Sequence, residues 1–373
     1  MIGPRTVPIV PASKEFVVPI SVLVINPGST STKIAVYEDS EELFSENVIH
    51  GSDEIGRYPN IAAQHGFREQ HIRAVLDRRG FSVSRLSAVV GRGGLLKPIP
   101  SGVYAINKLM REDLLSARYG EHASNLGALI AADLGAEVGI PAFTADPVIV
   151  DELEDVARVT GHRLFKRKSI FHALNQKAVA RRWCREQGRD YEASTLIVAH
   201  MGGGVTVGLH RNSRVVDVNN GLNGEGPITP ERAGTLPAAD LVKLCYSGTY
   251  SEAEVMKMLT GKGGMVSLMG TNDMRMVEDA YRIGDPVGTL YFKAFIYTVG
   301  KSIGALAAAA CGRVDAVILT GGIAHSKAIA DGISEMCSFI APMTIYPGEG
   351  ELEALALAGT HAVKGECRIM EYR

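Results

Sequence analysis

An apolar run that enters a turn of small and hydroxyl-bearing residues decides the fold of this chain. Residues 22–37 read VLVINPGSTSTKIAVY, so a β-branched run meets Asn26-Pro27-Gly28 and four hydroxyl residues before Lys33 opens a second apolar run. This pattern predicts a β-hairpin. Small residues at its tip let backbone N–H groups approach an anion, while Asn26 and Lys33 can face a metal ion or a phosphate. An ordinary Ser/Thr-rich hairpin loop is the alternative for this stretch taken alone.

A second stretch repeats the same plan. Residues 195–210 read TLIVAHMGGGVTVGLH, which is again an apolar strand, a glycine-rich tip and a second strand. Each stretch continues into a third extended run, over residues 38–49 and 211–218. Two such hairpins predict a duplicated domain, with the two tips facing each other across a cleft and gripping one phosphate chain.

Three motifs together resemble the phosphate and adenosine motifs of the acetate kinase family. They are N-x-G-S-T-S-x-K at 26–33, H-x-G-x-G-x-T at 200–206 and L-T-G-G-I at 319–323. Three further motifs are similar to the butyrate kinase branch of that family: R-G-G-L-L at 92–96, F-H-A-L-N at 171–175 and P-G-E-G-E at 347–351. The resemblance runs from about residue 20 to about residue 364, with the motifs in the expected order.

The resemblance implies the fold, because this family shares a superfamily with sugar kinases, heat-shock chaperones and actin. The expected architecture is α/β, with two duplicated ribonuclease H-like domains and a nucleotide cleft between them, the actin-like ATPase fold. Domain I is expected over 20–147 plus 352–373, on the acyl substrate side, and domain II over 148–351, on the nucleotide side. Residues 1–19 are expected to form an N-terminal extension.

Length and composition favour two or more domains and suggest no nucleic-acid or membrane partner. A chain of 373 residues is longer than single cores usually grow. With 39 basic and 41 acidic residues, its net charge of −2 favours neither a nucleic-acid nor a membrane partner. Five cysteines without C-x-x-C spacing predict reduced thiols and a cytoplasmic location. No apolar run is long enough for a membrane span, and residues 1–19 lack the pattern of a signal peptide.

Two common nucleotide-binding patterns are excluded. Residues 261–264 read GKGG, without the upstream glycine and the following Ser or Thr of a Walker loop. No predicted strand is followed by G-x-G-x-x-G, so a Rossmann dehydrogenase is not supported either.

Four residues are predicted to be catalytic, namely Arg92, Asp146, His172 and Arg232. Arg92 follows a predicted strand over 86–90, where α/β proteins commonly bind ligands, and its planar fork suits a carboxylate or phosphoryl group. A surface arginine in a flexible loop is the alternative. Acetate kinases have an arginine three residues before a His-Gly-Gly motif, where this chain has Val89. Arg92 is therefore expected to do a related job from a different position.

The other three catalytic candidates depend more on the resemblance. It matches Asp146 to an active-site aspartate, although an Asp-Pro turn is the alternative, and its expected work is to orient an arginine or the metal's waters. It matches His172 to a histidine that stabilises the transferring phosphoryl group, although a lone histidine is usually structural. Arg232 lies in a long polar, glycine-rich connection, and such loops are often functional.

The resemblance also implies ATP or ADP and Mg²⁺ as cofactors. Asn26 and Glu351 match magnesium ligands, directly or through water. Asp273 and Arg275 match an adenosine-contacting segment, whose alternative is a helix start capped by its own side chain. The nucleotide-binding candidates are Asn26, Ser29, Ser31, Lys33, His200, Gly202, Gly203, Gly204, Asp273, Arg275, Gly321 and Gly322.

Helical spacing yields expectations about packing as well. Residues 66–79 predict a charged surface helix, and 163–189 predict a strongly basic, largely helical segment whose charges mostly face solvent. Asn125 is expected to cap a helix. An alanine-rich helix over 352–363 is expected to return to domain I.

The resemblance implies an ATP-dependent kinase that converts a short-chain fatty acid, butyrate or a branched relative, reversibly to its acyl phosphate. The alternatives are an acetate or propionate kinase, a sugar kinase of the same superfamily, and a non-enzymatic ATPase module. The family also implies a homodimer or a higher homo-oligomer.

Overall fold

The computed structural model describes residues 19–373, so the N-terminal extension expected over residues 1–19 lies outside the described residues except for its last position. The strands are β1 Ser21–Pro27, β2 Ser31–Glu38, β3 Glu41–Ile49, β4 Ala88–Gly91, β5 Val103–Ala105, β6 Ala142–Ala145, β7 Thr195–Met201, β8 Val205–Arg211, β9 Arg214–Val218, β10 Ala316–Gly321, β11 Met343–Pro347 and β12 Ile369–Glu371. The helices are α1 Ser52–Ile55, α2 His65–Arg78, α3 Lys108–Leu115, α4 Asn125–Val138, α5 Asp155–Arg158, α6 Ala173–Glu186, α7 Ala238–Cys245, α8 Glu252–Leu259, α9 Gly264–Met269, α10 Met274–Arg282, α11 Pro286–Ala309, α12 Lys327–Cys337 and α13 Glu351–Lys364.

The first sheet has seven strands in the order β12-β5-β6-β4-β1-β2-β3. The predicted hairpin is its centre, because β1 pairs antiparallel with β2 and places Asn26 opposite Lys33. On its other side β1 runs parallel to β4, so the carboxyl ends of both strands meet at one edge. The side chains of Val22 to Ile25 are all fully buried, which explains why this run is apolar on both faces.

The second sheet repeats this arrangement with five strands in the order β11-β10-β7-β8-β9. Here β7, β8 and β9 form the antiparallel meander, and β10 lies parallel to β7. Each meander also contains one register shift between its second and third strands. It lies at Val36/Tyr37 in β2–β3 and at Leu209/His210 in β8–β9. The duplication inferred from the two hairpins is therefore visible in strand order, direction and bulge position.

Two helices are exchanged between the sheets. Helix α6, which follows the last strand of the first repeat, packs on β7 and β10 of the second sheet. Helix α13 follows β11 and packs back on β1, β2 and β4, as predicted. Gly359 makes this close approach possible, because a Cβ there would lie 2.5 Å from Val90 and 2.9 Å from Val22. The two helices also contact each other, so they tie the repeats together.

Charged segments are where the predicted helices need correction. Helix α2 exists, but it is not a purely solvated surface helix, because Arg68 is fully buried. The basic segment 163–189 is α-helical only from residue 173 to 186, and Lys177 in it is fully buried beside Glu152. Asn125 is not a cap, since its Oδ1 accepts from the Leu95 N–H at 2.8 Å. Helical period locates helices, but it does not reveal which charges find buried partners.

All five cysteines are free thiols, as predicted from their number and spacing. Among residues 19–373, no helix combines the length and the apolar character that crossing a bilayer requires.

Candidate active site

Three predicted site residues meet where β1, β4 and α13 converge. Asn26 lies near the end of β1, Arg92 directly follows β4, and Glu351 is the first residue of α13. Asn26 Nδ2 donates to Glu351 Oε2 at 2.8 Å. Arg92 Nη1 donates to the same Glu351 oxygen at 2.9 Å and to Asn26 Oδ1 at 3.1 Å. The start of a helix also favours the Glu351 carboxylate, because the backbone dipole is positive there.

Glycines fix the position of Arg92. Its backbone N–H donates to Ile25 O at 2.8 Å, which extends the β4–β1 pairing by one residue. A Cβ at Gly91 would lie 2.1 Å from the Gly127 carbonyl oxygen, and a Cβ at Gly127 would lie 2.5 Å from the Arg92 carbonyl oxygen. Strand β4 and helix α4 therefore touch backbone to backbone just before the arginine. This contact makes Arg92 part of a rigid sheet edge rather than of a flexible loop.

The two hairpins are joined through Asn175. His200 Nδ1 lies 2.7 Å from Asn175 Oδ1, and Asn175 Nδ2 donates to the backbone oxygen of Glu349. The Glu349 carboxylate in turn pairs with Lys33 at 3.3 Å. Lys33 of the first hairpin and His200 of the second are therefore tied to the same short segment before α13, which places both hairpins at one site.

A pair of stacked histidines occupies the centre of the site. The His172 and His200 rings lie 3.8 Å apart at 14°. Burial lowers the pKa of His172 well below its ordinary value, and His200, Arg232 and Arg92 lower it further. Burial also lowers the pKa of His200, to about 4, although the Glu349 carboxylate opposes this shift. Both rings are therefore neutral near pH 7, and each keeps one N–H to donate.

A small cavity lies between the two predicted arginines. Its volume is about 80 Å³. Arg92, Arg232, His122 and His172 supply its polar wall. Its apolar wall consists of Leu95, Val148, Ile170, Phe171 and Leu222. No carboxylate lines this cavity among the residues described, so it suits an anion with a short apolar tail.

Gly204 leaves the space that the Arg232 guanidinium fills. A Cβ at residue 204 would lie 2.1 Å from Arg232 Nη1. We expect Gly204→Ala to fold normally, because only the end of a flexible side chain must move, yet to lower kcat at least about tenfold because a displaced charge stabilises the transition state less. Steady-state kinetics with a thermal unfolding curve measure both.

Gly304→Ala is the matched control, since a Cβ at residue 304 meets no atom within 4 Å. Equal kcat values for Gly204→Ala and Gly304→Ala would contradict this placement of Arg232.

Asp146 binds groups on both sides of the junction between the repeats. Its Oδ1 accepts from the Ser101 hydroxyl and from the Gly102 N–H, and its Oδ2 accepts from Arg181 Nη1 of α6 at 3.1 Å. Burial alone would raise the pKa of this carboxyl, but Arg181, Lys177 and the two hydrogen bonds outweigh it and hold the pKa below its ordinary value. Asp146 is therefore ionised, and both of its carboxylate oxygens already accept hydrogen bonds. The arginine that it orients is Arg181, which is neither of the two predicted ones.

Arg68 supports the tip of the first hairpin, and sequence reasoning missed it. It is fully buried and donates to the carbonyl oxygens of Gly28, Ser29 and Ser31 at 2.8 to 3.0 Å. These contacts hold the tip of the first hairpin with its carbonyl groups turned toward α2. Nothing in the local sequence of α2 separates this arginine from those on its solvated face.

The second hairpin and the adenosine candidates lie together. Asp273 is the N-cap of α10 and binds Arg275, so this segment has the capped helix start that was the alternative in the sequence analysis. The neighbouring Asn272 donates to Glu231 Oε1 at 2.7 Å. A Cβ at Gly203 would lie 3.7 Å from the other Glu231 oxygen. Gly202 and Gly203 are accessible, whereas Gly204 is buried beside Arg232.

Gly321 ends β10 with φ of +88°, where a Cβ would collide with the Met201 backbone. Gly322 faces open space. The end of β10 therefore presents bare backbone, as a site for a flat base requires.

The donor set of Asn26 and Glu351 fits magnesium. Asn26 Oδ1 and Glu351 Oε2 accept from the same Arg92 nitrogen, so an amide oxygen and a carboxylate lie close together, and Mg²⁺ is usually held by one or two carboxylates, water and substrate phosphates. Elsewhere in residues 19–373, His65, Glu69 and Asp133 form one cluster of potential ligands. Both oxygens of Asp133 have partners, Arg111 at 2.6 Å and His65 at 3.1 Å, and Glu69 pairs with Arg73 at 2.7 Å, which makes that cluster an ion-pair network.

Known proteins resemble this chain over nearly its whole length. It is 52% identical, over 344 residues, to a probable butyrate kinase of Clostridium botulinum (strain Alaska E43 / Type E3), covering 92% of this chain and 97% of that protein. The model of the acetokinase family matches residues 156–339. The chain belongs to the acetokinase family. This confirms the resemblance predicted from the phosphate and adenosine motifs.

Solved structures of the acetokinase family confirm the fold. The acetate kinase of Porphyromonas gingivalis matches with a TM-score of 0.75 at 20% identity, covering 91% of this chain and 99% of that one. A propionate kinase of Francisella tularensis subsp. tularensis SCHU S4 matches with a TM-score of 0.74 at 16% identity, covering 92% and 99%. The predicted actin-like ATPase fold with two duplicated domains is therefore correct. The exact domain boundaries and the individual site residues stay predictions.

Proposed function

We propose that this acetokinase family member uses ATP to phosphorylate butyrate, or a branched relative, by direct in-line transfer to the carboxylate. The observation that carries the proposal is the cavity between Arg92 and Arg232, whose lining combines two arginines and two histidines with five apolar side chains. An acyl chain lies against Leu95, Ile170 and Phe171 in this proposal, and its carboxylate faces the two arginines. The 52% identical relative named as a probable butyrate kinase supports the choice of acid.

Charge is the chemical problem that such a site must solve. A carboxylate with a pKa of about 4 to 5 is already ionised at neutral pH, so no base is needed to create the nucleophile. It must instead approach the polyanionic γ-phosphate, where positioned cations and N–H donors lower the barrier. Arg92, Arg232, Lys33 and the N–H of His172 supply this stabilisation. Asp146 is ionised and both of its oxygens are hydrogen-bonded, which agrees with a site that uses no general base.

A series of acids tests the choice of substrate. Each buried methylene contributes about 0.8 kcal/mol, so the two extra methylenes of butyrate should raise kcat/KM over acetate by about 15-fold. Acetate, propionate, butyrate, isobutyrate and hexanoate are compared by ADP formation. A value for acetate equal to or above that for butyrate would replace this proposal with an acetate kinase.

Magnesium dependence is expected to depend on Glu351. The bound ion would supply charge neutralisation of the phosphates, with Asn26 Oδ1 and the Glu351 carboxylate holding it directly or through water. Glu351→Gln removes the negative charge and keeps the shape, so it should raise the magnesium concentration for half-maximal rate about tenfold, with kcat largely recovered at high magnesium. Titrating rate against magnesium measures this.

Glu353→Gln, two residues further along α13, is the matched control for Glu351→Gln. If Glu351→Gln shows the wild-type magnesium response, Glu351 is not a ligand of the ion.

The other reaction classes are disfavoured by the same cavity. A sugar kinase needs an aspartate that removes a hydroxyl proton and polar groups that bind the other hydroxyls. In the described residues, the cavity between Arg92 and Arg232 offers five apolar side chains and no carboxylate. A non-enzymatic ATPase module needs no acceptor pocket beside the phosphate site.

We also propose a homodimer in the cytoplasm. Exposed apolar side chains lie in the α10–α11 region, including Ile283 at 83%, Leu290 at 62% and Tyr297 at 55%, and the five free thiols suit a reducing compartment. Light scattering that gives the mass of a single chain would contradict the dimer.

A further inference from the structure

A chain of side chains, buried in its middle and partly buried at its ends, leads from the periphery of the second repeat to His172. Its four contacts are Tyr191 Oη to His210 Nδ1 at 2.7 Å, His210 Nε2 to Gln176 Oε1 at 3.1 Å, Gln176 Nε2 to Thr206 Oγ1 at 2.9 Å, and Thr206 Oγ1 to His172 Nδ1 at 2.9 Å. We call these residues the Tyr191–His172 chain. The proposed reaction assigns a role only to its last member.

The carboxamide of Gln176 sets the direction of the chain. Its Nε2 also donates to the backbone oxygen of Thr206 at 3.0 Å, and a carbonyl oxygen can only accept. The amide orientation is therefore determined, and Oε1 must face His210. His210 then donates from Nε2, which leaves Nδ1 to accept the Tyr191 proton. Gly208 makes room for this arrangement, since a Cβ there would lie 2.4 Å from Gln176 Oε1.

Thr206 passes the same direction on to His172. Its hydroxyl accepts from Gln176 Nε2, so its one proton is free to be donated, and His172 Nδ1 is its acceptor. The opposite assignment, with a proton on His172 Nδ1, would leave the Thr206 hydroxyl proton without an acceptor among the described residues. Thr206 is fully buried, and an unpaired buried donor is costly. The heavy-atom contacts thus select one tautomer.

We propose that Tyr191, His210, Gln176 and Thr206 are positioning residues that hold His172 as the tautomer with its proton on Nε2. Nδ1 is bound to Thr206, and Nε2, at the opposite corner of the ring, makes no hydrogen bond among the described residues. His172 lines the cavity together with Arg92 and Arg232. The Nε2–H is the donor aimed at the transferring phosphoryl group, and this part of the inference rests on the proposed function.

Neutrality of the rings is what makes the choice of tautomer matter. Burial lowers the pKa of His210 well below its ordinary value, with Lys177 and Arg181 adding to the effect, and His172 is shifted in the same direction. A doubly protonated ring would donate from both nitrogens, whereas a neutral ring donates from one. Without the chain, the ring could place its lone pair, rather than its proton, toward an incoming anion.

Nitrogen-15 NMR of protein labelled at histidine reads the tautomer directly, without substrate. His172 is assigned by the signals lost in His172→Gln. We expect a protonated Nε2 and an unprotonated Nδ1 whose nitrogen-15 chemical shift is that of a hydrogen-bond acceptor. A proton on Nδ1, or a mixture of the two tautomers, would overturn the proposal.

Two variants of Thr206 test the link to catalysis. Thr206→Val keeps the shape and suits a strand, but it removes the hydroxyl. It should shift the Nδ1 signal to that of an unbonded nitrogen and lower kcat about tenfold or more, toward the 10²- to 10³-fold that a lost donor costs, with KM for ATP within about twofold. Thr206→Ser restores the hydroxyl and should recover both the shift and kcat.

Unchanged kcat in a folded Thr206→Val protein would overturn the positioning role. The NMR measurement stands apart from the proposed function, because it needs no acceptor acid. If no acyl phosphate forms but the tautomer is as stated, the proposed reaction fails and the assignment of His172 remains.

Discussion

Replacing Arg232 with alanine is expected to lower kcat for acyl phosphate formation by about two to three orders of magnitude while the protein still folds. Loss of one well-aimed donor to a developing charge typically costs about 2.7 to 4 kcal/mol in the barrier. Arg232 fits such a donor, because it lines the cavity, its guanidinium anchors on the Gly221 carbonyl, and its own hydrogen bonds reach no carboxylate among residues 19–373. Its charge is therefore available to the reacting groups.

Two further variants serve as comparisons for Arg232→Ala. Arg79→Ala removes an exposed arginine at the end of α2, whose nearest acid is Glu46 at 3.4 Å, and should leave kcat unchanged. Arg232→Lys keeps the charge but loses the planar fork, so it should recover only part of the rate. Wild-type kcat in a folded Arg232→Ala protein would remove this residue from the catalytic group.

Replacing Asp146 with asparagine is expected to act on stability and positioning rather than on proton transfer. One partner of a buried pair would be lost, and Arg181 would keep its charge without its acceptor. Breaking a fully buried pair costs about 3 to 5 kcal/mol. Nearly half of the Arg181 side chain is accessible, at 48%, so water can compensate in part, and we expect a loss of about 1 to 2 kcal/mol in the free energy of unfolding.

The contribution of Asp146 to the free energy of unfolding should depend on pH in a defined direction. The pKa of Asp146 is lower in the folded protein than in the unfolded chain, since Arg181, Lys177, Ser101 and Gly102 outweigh the effect of burial. Its contribution to stability is therefore complete above the unfolded pKa of about 3.9 and is lost as the pH falls through the lower folded value. Urea unfolding should show a constant difference between wild type and Asp146→Asn above about pH 5, and a shrinking one below pH 4.

The pH profile of kcat decides between the two roles of Asp146. At saturating magnesium, wild type and Asp146→Asn should show profiles of the same shape. An acidic-limb pKa present in wild type and absent in the variant would make Asp146 a base and would refute the mechanism.

Local patterns account for what could be predicted from sequence. Strand, small-residue tip and strand recur in both repeats, so the two hairpins and the duplication followed from neighbouring residues alone, whereas the resemblance supplied His200 and Gly204 as site candidates. Arg92 was also placed correctly at a strand end, where parallel strands bring their carboxyl ends to one edge. These features depend on short segments whose pattern is visible in the linear sequence.

Partners that are distant in sequence account for what could not be predicted. Arg68 serves the first hairpin from 40 residues away, and Asp146 binds Arg181 of α6, the helix that packs on the second sheet. Both arginines lie in segments rich in charge, so their composition indicated a solvated face. Asn125 illustrates the same limit, because its role at Leu95 depends on the contact between β4 and α4.

Trapping the product tests the central claim most directly. The protein is incubated with ATP, magnesium, butyrate and hydroxylamine, because an acyl phosphate is captured as a hydroxamate, which ferric iron makes visible, whereas a sugar phosphate or free phosphate is not. The account predicts hydroxamate in proportion to ADP, dependent on butyrate and reduced at least about 100-fold in Arg232→Ala. ADP formation without hydroxamate, or at a rate independent of the acid, would contradict it.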